Sequence, residues 1–125
     1  MTLKIRVEET RPQTKTLVLA GRLDHESVEA FDERLEAVLG STVVMVVVFD
    51  LTELEYITSA GLRSMFRARK VMSGRGGKCM LVNPQPQVLK VLEIVKVPEL
   101  GAVFQSVEEL DAYLDVIQKK VTEGE

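Results

Sequence analysis

One cysteine, one histidine and no tryptophan leave this chain few of the side chains that carry specialised chemistry, and each scarcity excludes something. A lone Cys79 can close no intrachain disulfide, and its setting in Lys78-Cys79-Met80-Leu81-Val82 is that of a buried core thiol. A single histidine beside a single cysteine gives no ligand set for zinc, so neither metal nor cofactor is expected. There is no Walker A loop and no Gly-x-Gly-x-x-Gly, which leaves nucleotide chemistry without a motif. Long hydrophobic runs are missing too. The longest, Val43 to Phe49, has seven residues, against the roughly 20 of a transmembrane helix. Met1-Thr2-Leu3-Lys4 has no signal-peptide pattern, and the expected compartment is the cytoplasm. Positive charge is not in excess either: a net charge of −3 and a pI near 5.3 argue against direct nucleic-acid binding.

What is present suits one ordinary domain. With 125 residues, 46% hydrophobic and 28% charged, the chain can bury roughly two-thirds of its unfolded surface. No linker or internal repeat divides it, and the expected domain is residues 1–121 with a frayed tail at 122–125. Leu3, Ile5 and Val7 alternate with Lys4, Arg6 and Glu8 as in a half-exposed edge strand, and Thr10-Arg11-Pro12-Gln13 turns the chain into a second strand around Thr16 to Ala20, closed by Gly21-Arg22-Leu23-Asp24. Val28, Phe31, Leu35, Val38 and Leu39 line one face of a helix stopped by Gly40, read as a C′ glycine. Val43 to Phe49 predicts a strand buried on both faces. A second helix, with Leu62, Met65, Phe66 and Met72 inward and Arg63, Arg67 and Lys70 outward, opens at Thr58-Ser59. Lys78 to Val82 is the next strand, Pro86 starts a helix over Val88, Leu89, Leu92 and Val95 that Pro98 ends, Ala102-Val103-Phe104 is a short strand, and Ser106-Val107-Glu108-Glu109 caps a last helix through Leu110, Leu114, Ile117 and Val121. The expected fold class is α/β: one mixed, mostly parallel sheet of four to five strands, an antiparallel N-terminal edge strand and about four packing helices.

Parallel sheets work at the carboxyl ends of their strands. The predicted order delivers Asp24, Asp50, Thr58-Ser59 and Asn83 to one such edge. A Ser59 nucleophile with His25 as base and Asp24 or Asp50 as orienter is conceivable there, but Ile57 stands where the nucleophile elbow Gly-x-Ser-x-Gly needs its first glycine. The chain is therefore read as a non-enzyme. Simpler roles remain open: Ser59 as a helix-start serine satisfying a backbone donor, Asp24 as a turn or cap residue, and the basic residues as a solvated helix face. A serine in the first helical turn, beside acidic strand ends and a basic helix face, equally has the make-up of a phosphorylation switch on a docking surface. Binding of a nucleotide or lipid-like ligand at the same helix terminus, on the geometry of an anion site, is a third possibility.

Asp50-Leu51-Thr52-Glu53-Leu54-Glu55-Tyr56-Ile57-Thr58-Ser59-Ala60-Gly61-Leu62, with Gly21-Arg22-Leu23-Asp24 upstream, resembles the STAS domain of bacterial anti-sigma-factor antagonists. The resemblance spans nearly the whole chain. It implies a protein that docks on an anti-sigma factor, itself a serine kinase, is released when the serine opening the second helix is phosphorylated, and is restored by a serine phosphatase. Ser59 matches that phosphoacceptor and Asp24 the family's upstream acid. Asp24, Thr58, Ser59, Ala60, Gly61, Leu62, Arg63 and Arg67 are then the expected partner-binding residues. Three positions depart from the family's common pattern: Thr58 stands where Asp usually precedes the acceptor, Ala60 where a second hydroxyl often follows, and Arg63 where glycine is frequent. The alternative within the same resemblance is an accessory subunit of a membrane transporter that docks without phosphorylation.

Overall fold

The computed structural model describes residues 3–94, 102–104 and 106–123. Its first strand, β1 (Leu3–Arg11), pairs antiparallel with β2 (Thr14–Leu23) and lies at the edge of the sheet, as the alternation of Leu3, Ile5 and Val7 with charged residues requires. The turn between them passes through Pro12 and Gln13, the latter at φ 60°, and the Gln13 carbonyl accepts N–H bonds from Met45 (2.8 Å) and Val46 (3.1 Å). That contact seats the hairpin against the strand that follows α1 (Val28–Leu39).

This strand, β3 (Val46–Ile57), pairs parallel with β2 on one side and with β4 (Lys78–Val82) on the other; β5 (Ala102–Phe104) completes the order β1-β2-β3-β4-β5. The helices are α1, α2 (Ser59–Gly74), α3 (Pro86–Ile94) and α4 (Val107–Glu123). This is the mixed, mostly parallel architecture expected. Leu17, Leu19, Val47, Phe49, Cys79 and Leu81 form one face of the sheet, packed by Phe31 and Leu35 of α1, Met65 and Met72 of α2, and Val88 and Leu92 of α3. On the opposite face Val48, Met80, Val82 and Phe104 pack against Leu110 and Leu114 of α4. Ser106 Oγ accepts the Glu109 N–H at 3.1 Å, the cap expected there. Val95 and Pro98 lie outside the described residues, as do the side chains of Ile117 and Val121.

Two local expectations are corrected. The third strand, expected over Val43 to Phe49, begins and ends later: Val43 is 66% exposed in a turn and the strand runs on to Ile57. Beyond Phe49 its buried residues are Leu51, Leu54 and Ile57, spaced by three, because β3 carries an extra residue against β2 at two places: Val18 and Ala20 face Asp50 and Glu53, and Gly21 and Arg22 face Leu54 and Tyr56. A three-residue spacing does not read as a strand. Since β4 ends opposite Asp50, side-chain amides replace its ladder further on: Gln85 Nε2 donates to the Thr52 carbonyl (2.8 Å) and Gln87 Nε2 to that of Glu55 (3.1 Å). Gly40, expected in the left-handed region, has φ −70° and continues the right-handed turn. The last carbonyl of α1, that of Leu39, is served by Arg75, whose guanidinium donates to it at 2.6 Å and to the Ser41 carbonyl just beyond the helix at 3.0 Å.

Candidate functional site

β2 and β3 end together, at the pair Leu23–Ile57, and the two sequence motifs meet there. The next amide, Thr58 N–H, donates to the Leu23 carbonyl at 3.0 Å, and Thr58, extended at φ −110° and ψ 174°, turns the chain into α2. Its carbonyl accepts the first helical bond from Leu62 at 3.0 Å. Thr58 makes no side-chain cap bond, and its hydroxyl reaches only the Leu23 carbonyl, at a long 3.5 Å. Ser59 is the first helical residue. It is exposed, and among the described residues its hydroxyl has no hydrogen-bond partner. It is therefore not spent on satisfying a backbone donor. The first-turn N–H groups around it have no carbonyl behind them, so the site favours negative charge.

The helix start is held against β2 by close packing. Gly61 is buried, and a Cβ there would lie 2.6 Å from Leu23 Cγ and 2.8 Å from Leu23 Cδ2. Leu62 is buried in the core beneath the same turn, so Gly61 and Leu62 shape this surface from below while Ser59 and Arg63 are exposed on it.

Asp24 begins the loop into α1 from the neighbouring strand end. Its Oδ1 accepts N–H bonds from Glu26 (3.0 Å) and Ser27 (3.2 Å), and its side chain is only 13% exposed. Desolvation raises its pKa, but the Glu26 and Ser27 amides, the Ser27 hydroxyl and the nearby Arg22 charge outweigh this and hold the carboxyl below its ordinary value. Ser27, buried, ties the loop together: its hydroxyl donates to the Arg22 carbonyl at 2.8 Å and accepts the Asp24 N–H at 3.0 Å. Sequence reasoning missed Ser27; the signal was a serine three residues after a strand-ending aspartate. It also missed the pair beside it, Arg22 lying 4.1 Å over the Tyr56 ring with its Nε 3.7 Å from Asp24 Oδ2.

The expectation that three strand ends converge is corrected. Asp50 pairs with Val82, eight residues before Thr58 and so roughly 25 Å back along β3. Its carboxylate accepts from the Thr52 N–H (3.0 Å) and hydroxyl (2.6 Å), and Asn83 donates to that hydroxyl, all far from Ser59. The Asp24 carboxylate bonds to Glu26 and Ser27 and not to His25, so no serine–histidine–carboxylate relay is assembled. Arg63, Arg67 and Lys70 are exposed on α2, but Arg67 is committed to α1, with Glu36 at 2.8 Å and Asp32 at 3.4 Å. Among the described residues no cluster could hold a metal ion, and no helix is long and apolar enough to cross a membrane.

The family model of the STAS domain matches residues 6–110, which take in both motifs and the sheet that joins them. The chain belongs to the STAS domain family. Among its relatives, an anti-sigma F factor antagonist of Lysinibacillus sphaericus is 24% identical over 91 residues, 73% of this chain and 78% of that one. The fold of this STAS domain is similar to that of SpoIIAA, an anti-sigma factor antagonist. The unphosphorylated form has a TM-score of 0.78 at 20% identity, covering 90% of this chain and 96% of that one. The phosphorylated form, from Bacillus, has a TM-score of 0.72 at 20% identity, covering 89% and 99%. A sulfate transporter family protein of Wolinella succinogenes shares the fold at a TM-score of 0.74 and 15% identity, covering 90% and 93%.

Proposed function

We propose that this STAS domain is an anti-sigma-factor antagonist that works by partner switching. It docks on an anti-sigma factor serine kinase through the surface carrying Asp24, Thr58, Ser59, Ala60, Arg63 and Arg67, is released by phosphorylation of Ser59, and is returned to the docking form by a serine phosphatase. The observation that carries this reading is the free, exposed Ser59 hydroxyl on a helix start locked rigidly to β2. A phosphate there brings roughly −1.5 to −2 charges. At a helix N-terminus that charge is tolerated within the domain, so its effect falls on the interface, where bulk and desolvation oppose docking. Related proteins named as anti-sigma factor antagonists, one solved in a phosphorylated form, support the same reading.

Thr58 in place of the family's usual aspartate favours a second reading, a transporter-associated STAS domain that docks without phosphorylation. Phosphopeptide mapping before and after incubation with ATP and the kinase encoded nearest in the genome separates the two. Partner switching requires a phosphate on Ser59 that is absent from Ser59→Ala. A protein unmodified under every condition leaves the constitutive docking subunit.

A further inference from the structure

A second polar site lies at the other end of α2, roughly 20 Å along the helix from Ser59. There a cavity of about 330 Å³ is lined by Arg69 and Ser73 of α2, Gly76 and Gly77 of the following turn, Lys78 of β4 and Tyr113 of α4, and no carboxylate lines it. Arg69 is half-buried. Among the described residues the side chains of Arg69 and Lys78 have neither an ion pair nor a hydrogen bond, as is also true of Lys4, Arg63, Lys70 and Lys90, whereas Arg6, Arg11, Lys15, Arg22 and Arg67 have acidic partners and Arg75 is bonded to carbonyls; of the unpaired cations, Arg69 and Lys78 are the two that line this cavity. A guanidinium held partly out of water without a counter-ion costs stability, and the exposed Lys78, from a different element, lines the same space. The carboxyl end of α2 would repel an anion if its carbonyls were free. Two of them are turned into the chain: Met72 accepts the N–H groups of Arg75 (3.1 Å) and Gly77 (2.7 Å), and Ser73 that of Gly76 (3.1 Å). A Cβ on Gly76, at φ 78°, would meet nothing within 4 Å, so the mouth stays open.

We propose that this cavity is an oxyanion site that takes a phosphate group, with Arg69 and Lys78 as charged donors, the Ser73 hydroxyl as a neutral donor and the Tyr113 ring as the outer wall. The site is independent of the partner-switching surface. Its chemistry suits either a soluble phosphate ester or a phosphomonoester lipid headgroup, and one experiment separates them. The full chain is titrated with pyrophosphate against sodium chloride of matched ionic strength, by calorimetry and backbone amide NMR, and sedimented with phosphatidic acid vesicles against phosphatidylserine vesicles. Saturable pyrophosphate binding, with shifts centred on Ser73, Gly76, Gly77 and Lys78, assigns a soluble ligand; cosedimentation with phosphatidic acid alone assigns the headgroup. In either case Arg69→Gln and Lys78→Gln each weaken binding by about tenfold or more, the worth of one charge-assisted hydrogen bond. Without ligand both variants melt no lower than the parent, since each loses an unpartnered cation. Binding by neither probe, binding unchanged in both variants, or a marked drop in unliganded melting, as expected of cations that merely stabilise the end of α2, overturns the proposal.

Discussion

Leu23 and Gly61 are packed so closely that any side chain on Gly61 would displace Leu23, which is fully buried. They belong to the two separate motifs, and their contact, with the Thr58–Leu23 hydrogen bond, makes one rigid surface from two distant stretches. Gly61→Ala is expected to cost about 1–3 kcal/mol by overpacking, and Leu23→Ala about 2–5 kcal/mol by opening a cavity. Together they should cost less than their sum, because the shortened Leu23 makes room for the new methyl. Urea unfolding of the two single variants and the double variant tests this; strict additivity would show that the contact does not constrain the helix start.

Ser59→Asp should leave stability within about 1 kcal/mol of the parent, since a carboxylate in the first turn of α2 meets the positive helix end. It should weaken partner binding by about a hundredfold. Thermal melts and a pull-down titration read the two effects separately. A variant that melts far lower, or binds as tightly as the parent, contradicts a switch confined to the interface.

Asp24 links stability to acid. Its carboxyl titrates below its ordinary value, so the stabilisation it contributes is complete above the unfolded carboxylate pKa of about 3.9 and is lost as pH falls through the lower folded value. Asp24→Asn keeps an acceptor for the Glu26 and Ser27 amides but removes the charge. The parent should therefore be more stable than the variant at pH 7, and the gap should be smaller at pH 3. Urea midpoints at the two pH values decide it; an equal gap at both would show that the charge adds nothing.

Burial pushes the Cys79 thiol up to about 12, against the opposing pull of Arg69. Its contribution to stability is complete below the ordinary thiol range and is lost as pH rises towards that value. At pH 8 its thiolate fraction is about a thousandfold below that of a free cysteine. A disulfide-exchange reagent should leave the native protein unlabelled while reacting at once in urea. Fast labelling of the native state would place Cys79 nearer solvent than the core packing allows.

Much of the architecture was legible in local pattern. Alternation placed β1 at an edge, and the periodic apolar residues of α1, α2 and α4 recorded which face each helix buries. The start of α2 was legible because Thr58 is a preferred N-cap residue at the head of a helical apolar pattern. The far half of β3 was hidden, since the bulges opposite Val18 to Arg22 shift its burial to every third residue. Those bulges exist only in the pairing with β2.

The sequence by itself determined the element order, the buried faces and the two motifs that mark the site, because each is written in residues close together along the chain. Tertiary structure alone decided that Gly61 meets Leu23, that Arg67 is held by α1 while the Ser59 hydroxyl is left free, and that Asp50 stands far from both. The physical reason is that strand length, bulge position and helix packing depend on the partner a residue meets across the sheet, and that partner lies tens of residues away.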